Sequence, residues 1–218
     1  MLKRMFDLIF AAIGLLLLLP LFMIIGALIR KDGGPAFFRQ ERVGRSGKLF
    51  RIFKFRSMRL NAEQQGGQIT AGRDPRITGI GAFIRKTKID EMPQLINVLL
   101  GQMSIVGPRP EVPQYVEKWS KGDRNIILSV NPGMTDYASL IYSNEQEVLG
   151  ASGDPHKAYV EEVMPHKLAF YRQYVRERSF WLDLRIILAT VLKLVGFNVA
   201  SLLPELKDFT TETDRLGG

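Results

Sequence analysis

The chain has 218 residues, enough for one medium-sized domain with its own core. It contains no cysteine, which excludes a disulfide framework, and its two histidines, His156 and His166, have no recognisable metal-ligand spacing. A formal charge of +8 fits phosphorylated substrates, anionic lipid or nucleic acid, and 46% hydrophobic residues with unevenly spread charge point toward a membrane surface.

Residues 8–29 carry no charged side chain, and at about 1.5 Å per residue they can reach across a hydrocarbon core. A spanning helix is the default reading, but Pro20 removes an interior hydrogen bond and clashes with the carbonyl of Leu16. Lys3 and Arg4 precede the run, and Arg30, Lys31, Arg39 and Arg42 follow it, so both ends favour the cytoplasmic side. A helix bent at Pro20 that enters and leaves on one face satisfies both ends. From the residues alone the two topologies stand level, because proline is tolerated in spanning helices. No A-x-A-like site ends the apolar run, which argues against a cleaved signal peptide.

Gly33-Gly34-Pro35 breaks this helix, and residues 36–43 and 49–55 read as short strands around a turn at 45–48. The run Lys54-Phe55-Arg56-Ser57-Met58, taken by itself, is a strand end with solvated cations. Residues 61–72 are polar and glycine-bearing and read as a loop, and Asp74 before Pro75 favours a turn. Phe83 and Ile84 are most simply core.

Residues 85–111, RKTKIDEMPQLINVLLGQMSIVGPRPE, hold the strongest chemical signal. Asp90 reads as an N-cap, with Glu91 and Pro93 in the first turn, an apolar stripe at Leu95, Ile96, Val98, Leu99 and Leu100, and Gly101 as the terminating glycine. Two adjacent carboxylates would then lie at the positive end of a helix dipole, with Arg85, Lys86 and Lys88 before them and Arg109 after them in a stiff Pro-Arg-Pro turn. Carboxylates beside guanidinium groups suit phosphoryl transfer, as nucleophile or Mg²⁺ ligand with cations offsetting phosphate charge. On this pattern alone, a simple capping acid with solvated cations is the plainer alternative.

Residues 113–121 read as a short helix, with Trp119 as an interfacial anchor. Residues 142–153 offer no independent chemical signal, and Glu145 and Glu147 read as surface acids. Residues 157–178 form a charged amphipathic helix. In residues 180–195, Trp181, Leu184, Leu188, Val191, Leu192 and Val195 recur at helical spacing, with Arg185 and Lys193 able to reach headgroups. An interfacial helix and a core helix explain that pattern equally well. Residues 202–218 read as a peripheral tail.

The ordered run Asp90-Glu91-x-Pro93-Gln94-Leu95-x-Asn97-Val98-Leu99, then Met103-Ser104-x-Val106-Gly107-Pro108-Arg109-Pro110, resembles the bacterial sugar transferase family, the monotopic phosphoglycosyl transferases that begin glycoconjugate and exopolysaccharide assembly. The KFRSM run, Asp74-Pro75-Arg76-Ile77-Thr78 and Pro132-Gly133-Met134-Thr135 resemble further family motifs, so the likeness covers nearly the whole chain. It implies a mixed α/β, mainly helical fold: a re-entrant membrane helix over residues 1–32 broken at Pro20, a compact cytoplasmic catalytic domain over 33–201 with interfacial amphipathic helices, and the tail.

The resemblance also implies transfer of a sugar-1-phosphate from a UDP-sugar to a polyprenol phosphate such as undecaprenyl phosphate, at the cytoplasmic face of the bacterial inner membrane. Asp90 would be the nucleophile, assisted by Glu91, with Mg²⁺ bound at the pair. Arg85, Arg109, Lys54, Arg56 and Lys88 would bind substrate phosphate. Two positions depart from the family pattern: Gln102 stands where an acid is usual, and Asp136 where glycine is common. A non-enzymatic basic membrane adaptor would explain the charge and the apolar run but not the Asp90–Glu91 pair. A tethered nucleic-acid binder lacks aromatics interleaved with its cations, so nucleic acid is not an expected partner.

Overall fold

In a computed structural model the chain is mostly helical, with two small sheets. The structure describes residues 1–31, 33–62, 70, 74–141, 149–150, 152–197, 199 and 202–203. Most of the loop expected at 61–72, the acids Glu145 and Glu147, and nearly all of the tail lie outside those residues.

Helix α1, Leu2–Arg30, is one continuous helix with Pro20 inside it, so the helix does not break at the proline as expected. Its outer face is strongly apolar and exposed, with Ile9, Ile13, Leu16, Leu17, Met23 and Ile24 uncovered. It is the one helix among the described residues long and apolar enough, by length and composition, to cross a membrane. The other face packs on the domain. Asp7 is buried and accepts hydrogen bonds from Ser104 Oγ at 2.8 Å and Ile105 N at 3.0 Å. Lys3 pairs with Asp183 at 2.6 Å, and Arg4 donates to the carbonyl of Val98 at 2.8 Å. Toward the other end, Ile25 and Ile29 join Phe55 and Ile84 in a small core, with Phe22 edge-on to Phe55.

Strands β1, Phe37–Val43, and β2, Leu49–Phe55, form the expected antiparallel hairpin, with Val43 opposite Leu49. Its turn bears Ser46 at φ 56° and Gly47 at φ 76°. Helix α2, Gly79–Lys86, starts at Thr78, whose hydroxyl accepts from Gly81 N. A 3₁₀ turn, Ile89–Glu91, leads to α3, Gln94–Leu99, and Gly101 follows at φ 79° as expected of a terminating glycine. Strands β3, Ser104–Val106, and β4, Gly133–Thr135, pair in parallel. The Gly107 and Gly133 backbones meet so closely that a Cβ on Gly133 would lie 2.1 Å from Gly107 N. Only glycine permits that approach.

Between them lie α4, Pro113–Val116, and α5, Lys121–Ile127. Trp119 is 3% exposed within the main core, which corrects its reading as an interfacial anchor. Indole packs well in a core, and its amphipathic character in sequence does not distinguish the two settings. Helix α6, Tyr137–Ile141, follows β4. The amphipathic segment expected from 157 is split into α7, Pro155–Ala158, a π-helical turn, Tyr159–Val163, and α8, Met164–Glu177. Pro165 has no N–H for an i−4 bond, which accounts for wider winding just before it. Helix α9, Phe180–Leu194, is capped by Ser179. Leu182, Ile186 and Ala189 face the core, whereas Trp181, Leu188, Val191 and Leu194 are exposed. The segment thus has both a core face and an uncovered apolar face.

Candidate active site

The acidic pair sits on a backbone shaped by its neighbours. Lys88 takes a left-handed conformation at φ 57° and starts the 3₁₀ turn that carries Asp90 and Glu91. Pro93, not Asp90, is the residue before α3. The reading of Asp90 as an N-cap is therefore corrected: its carboxylate belongs to a separate turn, and α3, at six residues, is too short to supply much dipole. The positive potential comes from side chains instead.

Lys54, near the end of β2, reaches across to both acids, 3.0 Å from Asp90 Oδ2 and 3.1 Å from Glu91 Oε1. Arg109 holds Glu91 in a two-pronged pair, Nη1 to Oε2 at 2.9 Å and Nη2 to Oε1 at 2.5 Å. Burial alone would push the Glu91 carboxyl up, but Arg109 and Lys54 outweigh it and hold the group well below the usual carboxylate range. Glu91 in turn raises the Arg109 guanidinium. Asp90 is 2% exposed, and its Oδ1 is buried without a hydrogen-bond partner. A buried carboxylate oxygen without a partner is costly and calls for a functional explanation.

The other expected cations divide. Arg85 donates to Ser57 Oγ at 3.3 Å and lies near enough to Asp90 and Glu91 to act on their charge, while burial lowers its own pKa. Lys88 is exposed beside the turn and also acts on Glu91. Arg56 is different: it is buried and donates to the carbonyls of Pro35 at 2.8 Å and Ile29 at 3.0 Å. Its guanidinium fastens the exit of α1. Asp74 makes the expected turn, its Oδ1 accepting from Arg76 N at 2.9 Å.

The frame behind the pair is rigid. Asn97, fully buried, accepts from Phe53 N at 2.8 Å and donates to Arg51 O at 2.9 Å, tying α3 to β2. It also donates to Gln102 Oε1 at 2.7 Å. An amide oxygen serves this acceptor role as a carboxylate would, so the departure at Gln102 needs no charge. The segment carrying Arg109 is anchored further on by Glu111, which accepts from Tyr159 at 2.7 Å and pairs with Lys167 at 3.4 Å. Lys167 and Tyr159 were not singled out in the sequence, because each sits among ordinary amphipathic-helix residues.

Among the described residues no cluster of three or more acidic, histidine or cysteine side chains could cage a metal. Mg²⁺ does not need one, since it commonly binds through one or two carboxylates plus substrate phosphates. The partnerless Asp90 Oδ1 fits that requirement, with Glu91 beside it held by cations.

The chain matches the family model for the bacterial sugar transferases over residues 1–196. It is 42% identical over 200 residues to a galactosyl transferase of Streptococcus agalactiae, covering 87% of this chain and 41% of that protein. Over 195 residues it is 37% identical to a UDP-N-acetylgalactosamine-undecaprenyl-phosphate N-acetylgalactosaminephosphotransferase of Aeromonas hydrophila, covering 87% and 42%. A UDP-glucose:undecaprenyl-phosphate glucose-1-phosphate transferase of Escherichia coli is 36% identical over 196 residues, covering 88% and 40%. The chain thus spans about two fifths of the length of these relatives.

Proposed function

The chain belongs to the bacterial sugar transferase family, and from that we propose that it moves a sugar-1-phosphate from a UDP-sugar to a polyprenol phosphate, undecaprenyl phosphate by analogy with its relatives. The observation that carries the mechanism is the partnerless Asp90 Oδ1 beside Lys54. Lys54 holds Oδ2 and leaves Oδ1 free to attack the phosphorus bonded to the sugar. The new Oδ1–P bond replaces the bond to the bridging diphosphate oxygen, which leaves with UMP. A phosphate oxygen of the polyprenol then attacks the aspartyl phosphosugar, restores the Asp90 carboxylate and yields polyprenol-diphosphate-sugar. Lys54, Arg85 and Arg109 offset charge on the transferred group. Mg²⁺ at the acidic pair would add neutralisation of the diphosphate, with Glu91 as its protein ligand while Asp90 Oδ1 attacks.

Placement at a membrane follows from the acceptor, which stays in the bilayer. The inner face of α1 packs on the domain along its length, through Lys3, Arg4 and Asp7, then Ala11, Leu15 and Leu18, then Ile25 and Ile29, while its outer face is apolar and exposed. A helix packed along one domain in this way supports placing both of its ends on the same side of the membrane, with its apolar outer face and the exposed face of α9 at the interface. A passive lipid adaptor gives no reason for the free Asp90 oxygen. The test is UMP release from a panel of UDP-sugars, with polyprenol phosphate, with and without Mg²⁺. Mg²⁺-dependent release with at least one sugar is expected, and none with any sugar would contradict the reading.

A further inference from the structure

Asp7 on α1 and Asp183 on α9 are buried carboxylates, each 3% exposed, that the proposed chemistry does not use. Both converge on β3. Asp7 Oδ1 accepts from Ile105 N at 3.0 Å, and its Oδ2 accepts from Ser104 Oγ at 2.8 Å. Lys3 Nζ donates to the Val106 carbonyl at 3.1 Å and pairs with Asp183 Oδ2 at 2.6 Å. The Tyr174 hydroxyl donates to Asp183 Oδ1 at 2.8 Å and lies 3.1 Å from the same Val106 oxygen. All three residues of β3 are thus held from the side of α1 and α9. The strand needs that support. Its strand partner among the described residues is β4, also three residues long, and so short a parallel ladder is marginal by itself.

The chain between this clamp and the candidate site has little freedom. From Val106 it runs through Gly107 and Pro108 to Arg109, which grips Glu91. Gly107 N donates to Thr135 O at 3.1 Å, Gly133 N donates to Pro108 O at 2.9 Å, and Arg42 Nη1 donates to Pro110 O at 3.2 Å. The two prolines have fixed φ. A shift of β3 is therefore carried on to Arg109 and not absorbed on the way. We propose that Asp7 and Lys3 of the apolar helix α1 are positioning residues: with Asp183 they clamp β3, and the clamp sets where Arg109 meets the transferred phosphate. The inference rests on the phosphoglycosyl transfer proposed above. It accounts for a carboxylate buried at the start of an apolar helix, where an ionised group is costly unless it is fully hydrogen-bonded. It also gives Lys3 a role beyond that of a cation flanking an apolar run.

The test is UMP release by the full chain at saturating UDP-sugar and polyprenol phosphate. The proteins are wild type, Asp7→Ala, Asp7→Asn, Lys3→Met, and Arg109→Lys with and without Asp7→Ala. Each is assayed well below its melting midpoint, where a contact that only stabilises the fold leaves kcat unchanged. Asp7→Ala should lower kcat about 10-fold or more with little change in KM for the UDP-sugar, since misplacing a group by about 1 Å can cost on the order of 100-fold. Asparagine keeps an oxygen for Ile105 N and should restore most of the rate. Lys3→Met takes one donor from the Val106 carbonyl and should lower kcat about 3-fold. The Arg109→Lys background lacks the fork whose placement matters, so there Asp7→Ala should cost only about 2-fold. An unchanged kcat in folded Asp7→Ala, or an equal drop in both backgrounds, would overturn the inference and leave the proposed function intact. No UMP release by wild type from any UDP-sugar would overturn both. Should Asp7→Ala not fold, an unchanged kcat in Lys3→Met would overturn the inference.

Discussion

Arg109 and Glu91 form the strongest charge pair in the candidate site, and substitution there separates shape from charge. A lysine cannot reproduce the two-pronged contact. Arg109→Lys should lower UMP release at least 10-fold while thermal melting shows the protein still folded; unchanged turnover would remove Arg109 from the site. Because the Glu91 carboxyl is depressed in the folded state, its ionisation stabilises the fold above its unfolded value of 4.5, and this contribution is lost as pH falls through the lower folded value. Arg109→Ala should therefore cost more stability at pH 7 than at pH 3, as read by denaturant midpoints. Asp136 has the opposite sign. Its raised carboxyl favours the fold at low pH, and the advantage disappears as pH rises from 3.8 through about 6, a difference on the order of 3 kcal/mol. Asp136→Asn should melt higher than wild type at pH 8 and no higher at pH 3.5.

At the scale of elements, Asn97 joins α3 to β2 with hydrogen bonds to Phe53, Arg51 and Gln102. Asn97→Ala should destabilise by roughly 2–3 kcal/mol, since buried backbone groups lose their partner. Gln102→Glu should be nearly silent, because the oxygen accepting from Asn97 Nδ2 survives. The hairpin, the Gly101 terminus and the Asp74 turn were legible in the sequence because local pattern dictates them. So was the grouping of Lys54, Arg85 and Arg109 about Asp90 and Glu91, although through family resemblance more than spacing. What was not legible depends on contacts distant in sequence. Nothing near Arg56 announces that Ile29 and Pro35 take its donors, and nothing near Trp119 announces burial. Asp90 reads as a cap until Lys88 adopts its left-handed turn and separates the pair from α3. Asp136 stood out as a departure, yet its burial and its bond from Ser139 N depend on how the chain turns from β4 into α6.

For the whole molecule, α1 is as much a part of the domain as a membrane element. Asp7, in an otherwise apolar stretch, is satisfied by Ser104 and Ile105, and Lys3 by Asp183, which also accepts from Tyr174 at 2.8 Å. Cysteines introduced near each end of α1, in a chain that has none, should both label from the cytoplasmic side of inverted vesicles. Labelling of one end only from the opposite side would establish a spanning helix. This arrangement would keep the acidic pair close to the headgroups, where a water-soluble donor and a lipid acceptor can be served in turn by one nucleophile. The central claim is that Asp90 carries the sugar phosphate between them. Incubating the full chain with an accepted UDP-sugar and Mg²⁺ but no polyprenol phosphate, quenching, and measuring the mass of the protein and its peptides tests it most directly. The account predicts release of UMP and a phosphosugar on the peptide containing Asp90, absent in a folded Asp90→Asn variant. UMP formed only when acceptor is present, with no adduct at Asp90, or near wild-type turnover by Asp90→Asn, would contradict it.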